Sequence, residues 1–335
     1  MNVRVLFIIK RQLGYNGSAV PSKGLFNSAL FVVNALRRIG IVAELVEVVD
    51  ANDIDREVAR CCPTHCIIEA LWVTPLKLAE LRRLHHPVQF VVRIHSNIPF
   101  LASEGMALDW LTSYGSLVGC NSSRAVAALQ PLTNRQPVYL PNIYEPGVPS
   151  HQKTLDRSGR NLWIGCLGAI RPLKNQLQQA MAAMAYADLT QRRLVYHINT
   201  RMEQGGEPVL RNIRALFAHP PHMLVQHDWV ATHKEVREIV AAFDLSLQVS
   251  FTETFNLVSA DAVWAGVPIV VSPEIEWAPG HTKVRSNTIP EIIDVMQTQE
   301  REGKHSADRN LTALLHHNQV ALETWTEFLS RKVKQ

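Results

Sequence analysis

The chain has 335 residues, 34 Lys+Arg against 30 Asp+Glu, and 47% apolar residues. That length fills two cores of about 150 residues each, and the balance of apolar and charged residues excludes a disordered or collagen-like chain. A net charge of +4 excludes a strongly basic protein. The basic pairs Lys10-Arg11, Arg37-Arg38, Arg82-Arg83 and Arg192-Arg193 stand apart, as on solvated helix ends or a mildly basic surface toward an anionic acceptor or membrane headgroups.

Five cysteines, an odd number, make a poor disulfide framework. Cys61, Cys62 and Cys66 cluster without a zinc spacing, and all five read as reduced thiols. The first apolar run, Val5 to Ile9, is too short for a signal-peptide core, and no later run reaches the length of a membrane span. The expectation is a cytoplasmic protein with no transmembrane segment, able to touch a membrane surface.

In chain order, short apolar runs alternate with amphipathic stretches, the rhythm of a parallel α/β sheet. Val3 to Ile9 is a strand leading into Gly14-Tyr15-Asn16-Gly17-Ser18, a glycine loop able to bring an acceptor or phosphate close to the strand end. A helix follows from Ser22, its cap, to Gly40. Strands are expected at Ile41 to Val49, His65 to Ile68, Val88 to Ile94, Ser116 to Gly119 and Val138 to Leu140, with helices at Leu76 to Leu84 and Met106 to Thr112. Asp53-Ile54-Asp55 follows a strand and opens a helix, which makes it a cap rather than a metal-binding Asp-x-Asp.

Prolines and glycine in Tyr144 to Ser150 break the pattern. The boundaries drawn are an N-terminal domain at 1–146, a linker at 147–159 and a C-terminal domain at 160–311, with a helix at 312–335 returning to the first domain. In the second half, strands are expected at Leu162 to Leu167, Leu194 to Ile198, Leu245 to Val249 and Val267 to Val271. Helices are expected at Asn175 to Tyr186, Thr254 to Ala265 and Asn310 to Arg331, and Thr232 to Glu235 reads as a capping box for another. The fold class is therefore two doubly wound Rossmann-like domains facing a cleft at their strand C-termini.

The chemistry concentrates between Ser250 and Ser272. A strand, a polar turn, a helix and a Gly266-Val267-Pro268 turn follow one another. Free amides at a helix start hold phosphate, and Glu253 just before it is placed to accept hydrogen bonds from a hydroxyl-rich group. Asp261 follows eight residues later. Upstream, Gly168-Ala169-Ile170-Arg171-Pro172-Leu173-Lys174-Asn175 sets two cations before a helix, able to offset charge developing on a leaving diphosphate. Arg93-Ile94-His95-Ser96 ends a strand.

These segments resemble the retaining GT-B glycosyltransferases of the group 1 type, family 4, whose signature is a glutamate, seven residues, a second glutamate and Gly-x-Pro. The resemblance implies a metal-independent hexosyl- or pentosyltransferase using a UDP-, GDP- or ADP-sugar as substrate, with no cofactor. It implies Glu253 on donor-sugar hydroxyls with Thr254 and Phe255 beside it, and the backbone of Asn256, Leu257 and Val258 on the distal phosphate. Arg171 and Lys174, after Gly168 and before Asn175, answer the family's phosphate cations. His95 answers a histidine that touches the donor sugar, and Asp261 stands where the second glutamate holds ribose, one methylene short. Phe90 to Glu104 also looks like glycosyltransferase-like proteins of tailed bacteriophages. The acceptor stays open among a saccharide, a lipid-linked sugar, a protein and a modified DNA base. A nucleotide-sugar epimerase and a non-catalytic binding or scaffold protein share the architecture.

Overall fold

The computed structural model describes residues 3–13, 19–20, 23–101, 107–114, 118–133, 136–145, 147, 159–202, 205–228 and 232–331. The expected loop residues Gly14, Asn16 and Gly17, the cap Ser22 and most of the expected linker lie outside them. The chain divides into two units, Met1–Pro146 with His317–Gln335, and Gly147–His316.

The first unit contains β1 (Arg4–Lys10), a two-residue pair β2 (Gln12–Leu13) and β3 (Ala19–Val20), α1 (Lys23–Arg38), β4 (Val42–Val48), α2 (Asp53–Cys61), β5 (His65–Glu69), α3 (Pro75–Leu84), β6 (Gln89–Ile94), α4 (Ile98–Leu101), α5 (Ala107–Tyr114), β7 (Val118–Cys120), α6 (Ser123–Leu129) and β8 (Val138–Tyr139). Six strands pair in parallel in the order β4-β1-β5-β6-β7-β8. Five consecutive residues of β1 are buried, as a central strand covered on both faces requires. Alternate side chains serve opposite layers: Leu6 and Ile8 join the core beneath α2, α3, α5 and α6, while Val5 and Phe7 join the one beneath α1. Local caps fix the helix starts, such as the Thr74 hydroxyl accepting from the Lys77 amide with Pro75 in the first turn.

Asp53 and Asp55 are engaged locally. The Asp53 carboxylate accepts from the Val49 and Asp50 amides at 3.3 and 3.1 Å, and Asp55 lies 2.6 Å from His85 Nε2. All five cysteines are free thiols.

The second unit contains β9 (Asn161–Cys166), α7 (Gln176–Leu189), β10 (Arg193–Asn199), α8 (Glu207–Leu216), β11 (Met223–His227), α9 (His233–Val240), β12 (Leu245–Gln248), α10 (Leu257–Trp264), β13 (Ile269–Val271) and α11 (Ile289–Glu302). Its sheet is parallel in the order β11-β10-β9-β12-β13. Strand order reverses between β9 and β12, the position at which doubly wound sheets carry their ligands. The expected start of α10 at Thr254 moves to Leu257, because Asn256 adopts φ 61° and caps the helix from a non-helical backbone.

The last helix, α12, runs from Lys304 to Ser330, starting earlier than Asn310. Ser306 and Asn310 are buried polar residues on its inner face, and they interrupt the apolar spacing that marks a helix in sequence. Its final turns belong to the first unit. Trp325 is wholly buried, packs 5.5 Å from the Phe7 ring and donates from Nε1 to Pro141 O at 2.8 Å. Asn318 bonds both ways with the Tyr144 backbone at 2.9 and 2.7 Å. Among the described residues, no helix is long and apolar enough to cross a membrane.

Candidate active site

In the second unit the loops leaving β9 and β12 are laced together. Gly168, at φ +118°, leaves β9, and its amide donates to Asn199 Oδ1 at 2.8 Å. Arg171 precedes a 3-10 turn, Pro172–Lys174, and its amide donates to Gln176 Oε1 at 3.2 Å. Asn175 closes the turn in the left-handed region at φ 54° and donates from Nδ2 to Val249 O at 3.2 Å. Gln179 donates to Lys174 O and accepts from the Val249 amide, both at 2.8 Å. The Phe251 amide donates to Leu173 O at 3.0 Å. Each loop thus satisfies the backbone groups of the other.

This lacing brings Lys174 and Glu253, 79 residues apart, into an ion pair between Nζ and Oε2, with side chains 13% and 11% exposed. Glu253 Oε2 also accepts from Asn256 Nδ2 at 2.7 Å, and the same amide nitrogen reaches Gln248 Oε1 at 2.9 Å. Asn256 Oδ1 accepts from the Ser259 amide at 2.8 Å. One asparagine therefore caps α10 and fixes the carboxylate. The amides of Leu257 and Val258, first in α10, have no acceptor within the helix, so partial positive charge collects one turn from Glu253. Thr254 and Phe255 are buried, and Phe255 works in the core: its ring lies 5.7 Å from Trp277, whose Nε1 donates to Phe255 O at 2.6 Å.

Asp261 sits on the second turn of α10, 3% exposed, with Oδ1 2.6 Å from Nε2 of His233, the first residue of α9. The capping box was legible in sequence: the Thr232 hydroxyl accepts from the Glu235 amide while the Glu235 carboxylate accepts from the Thr232 amide. The His233 contact was not, because its partner lies on another helix.

In the first unit His95 follows β6, and a buried acid the sequence reading missed lies behind it. Glu69 and Arg93 are direct partners on β5 and β6, both 0% exposed. Arg93 Nη1 donates to both Glu69 oxygens at 3.0 and 3.2 Å, Nε donates to Leu140 O at 2.9 Å, and Nη2 donates to Asn142 Oδ1. His95 Nε2 bonds to Glu69 Oε2, and His95 Nδ1 lies 3.4 Å from Asn121 Nδ2. Burial raises the Glu69 carboxyl, but the charges of Arg93 and His95 outweigh it and hold it below the ordinary carboxylate range. Burial pushes His95 below its ordinary value, against the pull of Glu69. His95 thus stands between the Glu69 carboxylate on Nε2 and the Asn121 amide on Nδ1.

Two doubly wound parallel-sheet units are the architecture that GT-B glycosyltransferases share. The model of the family described as Family 4 Glycosyltransferase in conflict systems matches residues 123–325, and the chain belongs to that family. No curated protein matches it in sequence. Among solved structures it is similar to the Escherichia coli trehalose-6-phosphate protein bound with UDP-2-fluoro glucose, at 12% identity over 98% of this chain and 99% of that one, TM-score 0.71. It is also similar to Anabaena Alr3699/HepE in complex with UDP, at 14% identity over 97% and 100% of the two chains, TM-score 0.63. A UDP-forming trehalose-phosphate synthase from Burkholderia xenovorans matches at 11% identity over 99% and 100%, TM-score 0.63. At these identities the structures share the fold.

Proposed function

We propose that the chain moves a sugar from a nucleotide-diphosphate donor, a UDP-sugar first among them, onto an acceptor hydroxyl with retention of configuration. In this reading Lys174 and Arg171 meet the negative charge that grows on the departing diphosphate, a task that needs no metal. The Leu257 and Val258 amides hold the distal phosphate, and Glu253 accepts hydrogen bonds from sugar hydroxyls. Attack and departure share one face of the sugar, and the leaving phosphate takes the acceptor proton. The UDP-bound structures of the same fold support a uridine donor.

The observation that carries the reading is the Lys174–Glu253 pair on the loops that leave β9 and β12, where strand order reverses. The ammonium can meet a diphosphate, and the carboxylate beside it can accept hydrogen bonds from the hydroxyls of a neutral sugar. Lys174→Ala and Glu253→Ala are each expected to lower UDP release from a UDP-sugar by about 100-fold or more, with melting behaviour close to wild type. Turnover within a few-fold of wild type in either folded variant rejects the assignment. The anomeric outcome is read by NMR of the released or transferred sugar.

A further inference from the structure

Glu253 is held by more than its ion pair with Lys174. Behind it runs a relay of two buried side-chain amides, Gln248 at the end of β12 and Asn256 at the start of α10. Gln248 donates from Nε2 to Leu167 O at 3.0 Å, and its Oε1 accepts from Asn256 Nδ2 at 2.9 Å. The same Nδ2 donates to Glu253 Oε2 at 2.7 Å, while Asn256 Oδ1 accepts from the Ser259 amide at 2.8 Å. An amide nitrogen carries two hydrogens, and here one serves the relay and the other the carboxylate. The two ends of the relay are backbone groups of fixed polarity, a carbonyl at Leu167 and an N–H at Ser259. Turning either amide over would set oxygen against oxygen or N–H against N–H, so the backbone dictates that a donor faces Glu253. The Asn256 backbone, at φ 61° and ψ 90°, favours glycine, asparagine and aspartate. Of these three, asparagine alone both caps the helix and donates to an ionised carboxylate.

We propose that the Gln248–Asn256 relay is the positioning device for Glu253, keeping the carboxylate aimed at the sugar when Lys174 turns to the diphosphate. The proposal rests on the donor reading above and deepens it. Lys174 is a point charge that a carboxylate and a diphosphate both attract, and the carboxylate then needs a donor that stays. Asn256 is neutral, buried and tied at both ends of its amide, so a diphosphate does not draw it away. It acts through Glu253, and Gln248 acts through Asn256.

The test measures nucleotide release from UDP-, GDP- and ADP-glucose and UDP binding by calorimetry, in wild type, Asn256→Gly, Asn256→Asp, Glu253→Ala and the double variant Asn256→Gly/Glu253→Ala. Glycine fits the backbone and costs the helix little. Asn256→Gly is expected to lower turnover about tenfold, the value of one hydrogen bond to a charged group, with UDP affinity within about threefold of wild type. Asn256→Asp keeps the cap, loses the donor and is expected to lose at least as much turnover. In the Glu253→Ala background, Asn256→Gly is expected to cause no further loss, because the group it positions is gone. Turnover within threefold of wild type in Asn256→Gly or Asn256→Asp overturns the proposal and leaves the donor reading standing. So does an Asn256→Gly loss that is matched by lost UDP affinity, or one that recurs in full without Glu253. Wild type releasing nucleotide from none of the three donors overturns both.

Discussion

Each unit carries an acid paired with a base at its sheet, and the two pairs are built in opposite ways. Glu69 and Arg93 sit on adjacent strands in register, both sealed from solvent, with the guanidinium fork shared among a carboxylate, a carbonyl and an amide oxygen. Lys174 and Glu253 come from loops, keep 13% and 11% exposure, and meet through one ammonium. A planar fork on a strand is geometrically over-determined, whereas a point charge on a flexible stem can exchange one partner for another. Strands hold charge for permanence and loops hold it for exchange, so the second pair is the one suited to a passing ligand.

The sharpest way to break that contrast is to remove one acid from each pair. Glu69→Ala leaves a buried arginine uncompensated and is expected to lower unfolding free energy by about 3–5 kcal/mol, read by denaturant titration. A loss below about 1 kcal/mol would show that the buried pair is no more fixed than the other. Next in size is Gly165→Ala in β9, where an added Cβ falls 1.9 Å from the Phe243 ring. Overpacking there is expected to cost about 1–3 kcal/mol. Gly119→Ala in the first unit meets the Leu140 methyl at 2.8 Å, the end of a movable side chain, and should cost less.

A smaller effect follows from His197. It lies among Trp163, Phe243 and His227, and burial, reinforced by His227, pushes its imidazole down to about 4. The unfolded imidazole takes its proton near pH 6.5, so the unfolded state binds more protons between those values. This contribution is fully present above about pH 6.5 and falls by about 1.4 kcal/mol per pH unit toward pH 4. His197→Asn should flatten that slope in denaturant titrations from pH 7 to 5. The smallest expected change is the stability of Glu253→Ala, about 1 kcal/mol for a pair that keeps 13% and 11% exposure, while its turnover is expected to fall as proposed above. A large destabilisation there would make Glu253 a structural residue like Glu69.

Much of the architecture was legible because parallel strands buried on both faces are unbroken apolar runs, as in Val5 to Ile9 and Ile269 to Val271. Lys174 and Glu253 were legible through local spacing around glycine, asparagine and Gly266-Val267-Pro268. What escaped the reading depends on contacts between distant segments. α11 was missed although Ile289, Ile292, Ile293 and Met296 carry the helical spacing of one apolar face and Ile292 and Met296 are buried. β11 is only partly buried, and its run is short. Glu69, at the end of β5, reads as the polar residue that stops a strand, and only its register with Arg93 explains it. His233 and Asp261 are 28 residues apart on separate helices, beyond any periodicity.

The last turns of α12 have a consequence for how the molecule is made. Trp325, Phe328 and Leu329 complete the layer that covers Phe7, Ile67 and Val91, and the Trp325 ring lies 5.3 Å from the Arg93 guanidinium. During synthesis the first unit therefore leaves the ribosome with part of one side of its sheet, the part beside α1, uncovered. Some 180 residues must follow before the missing aromatic side chains emerge, roughly 10–40 s at ordinary elongation rates. Through that interval the nascent chain carries an open apolar face, and the earliest strands to be translated are among the last to be sealed.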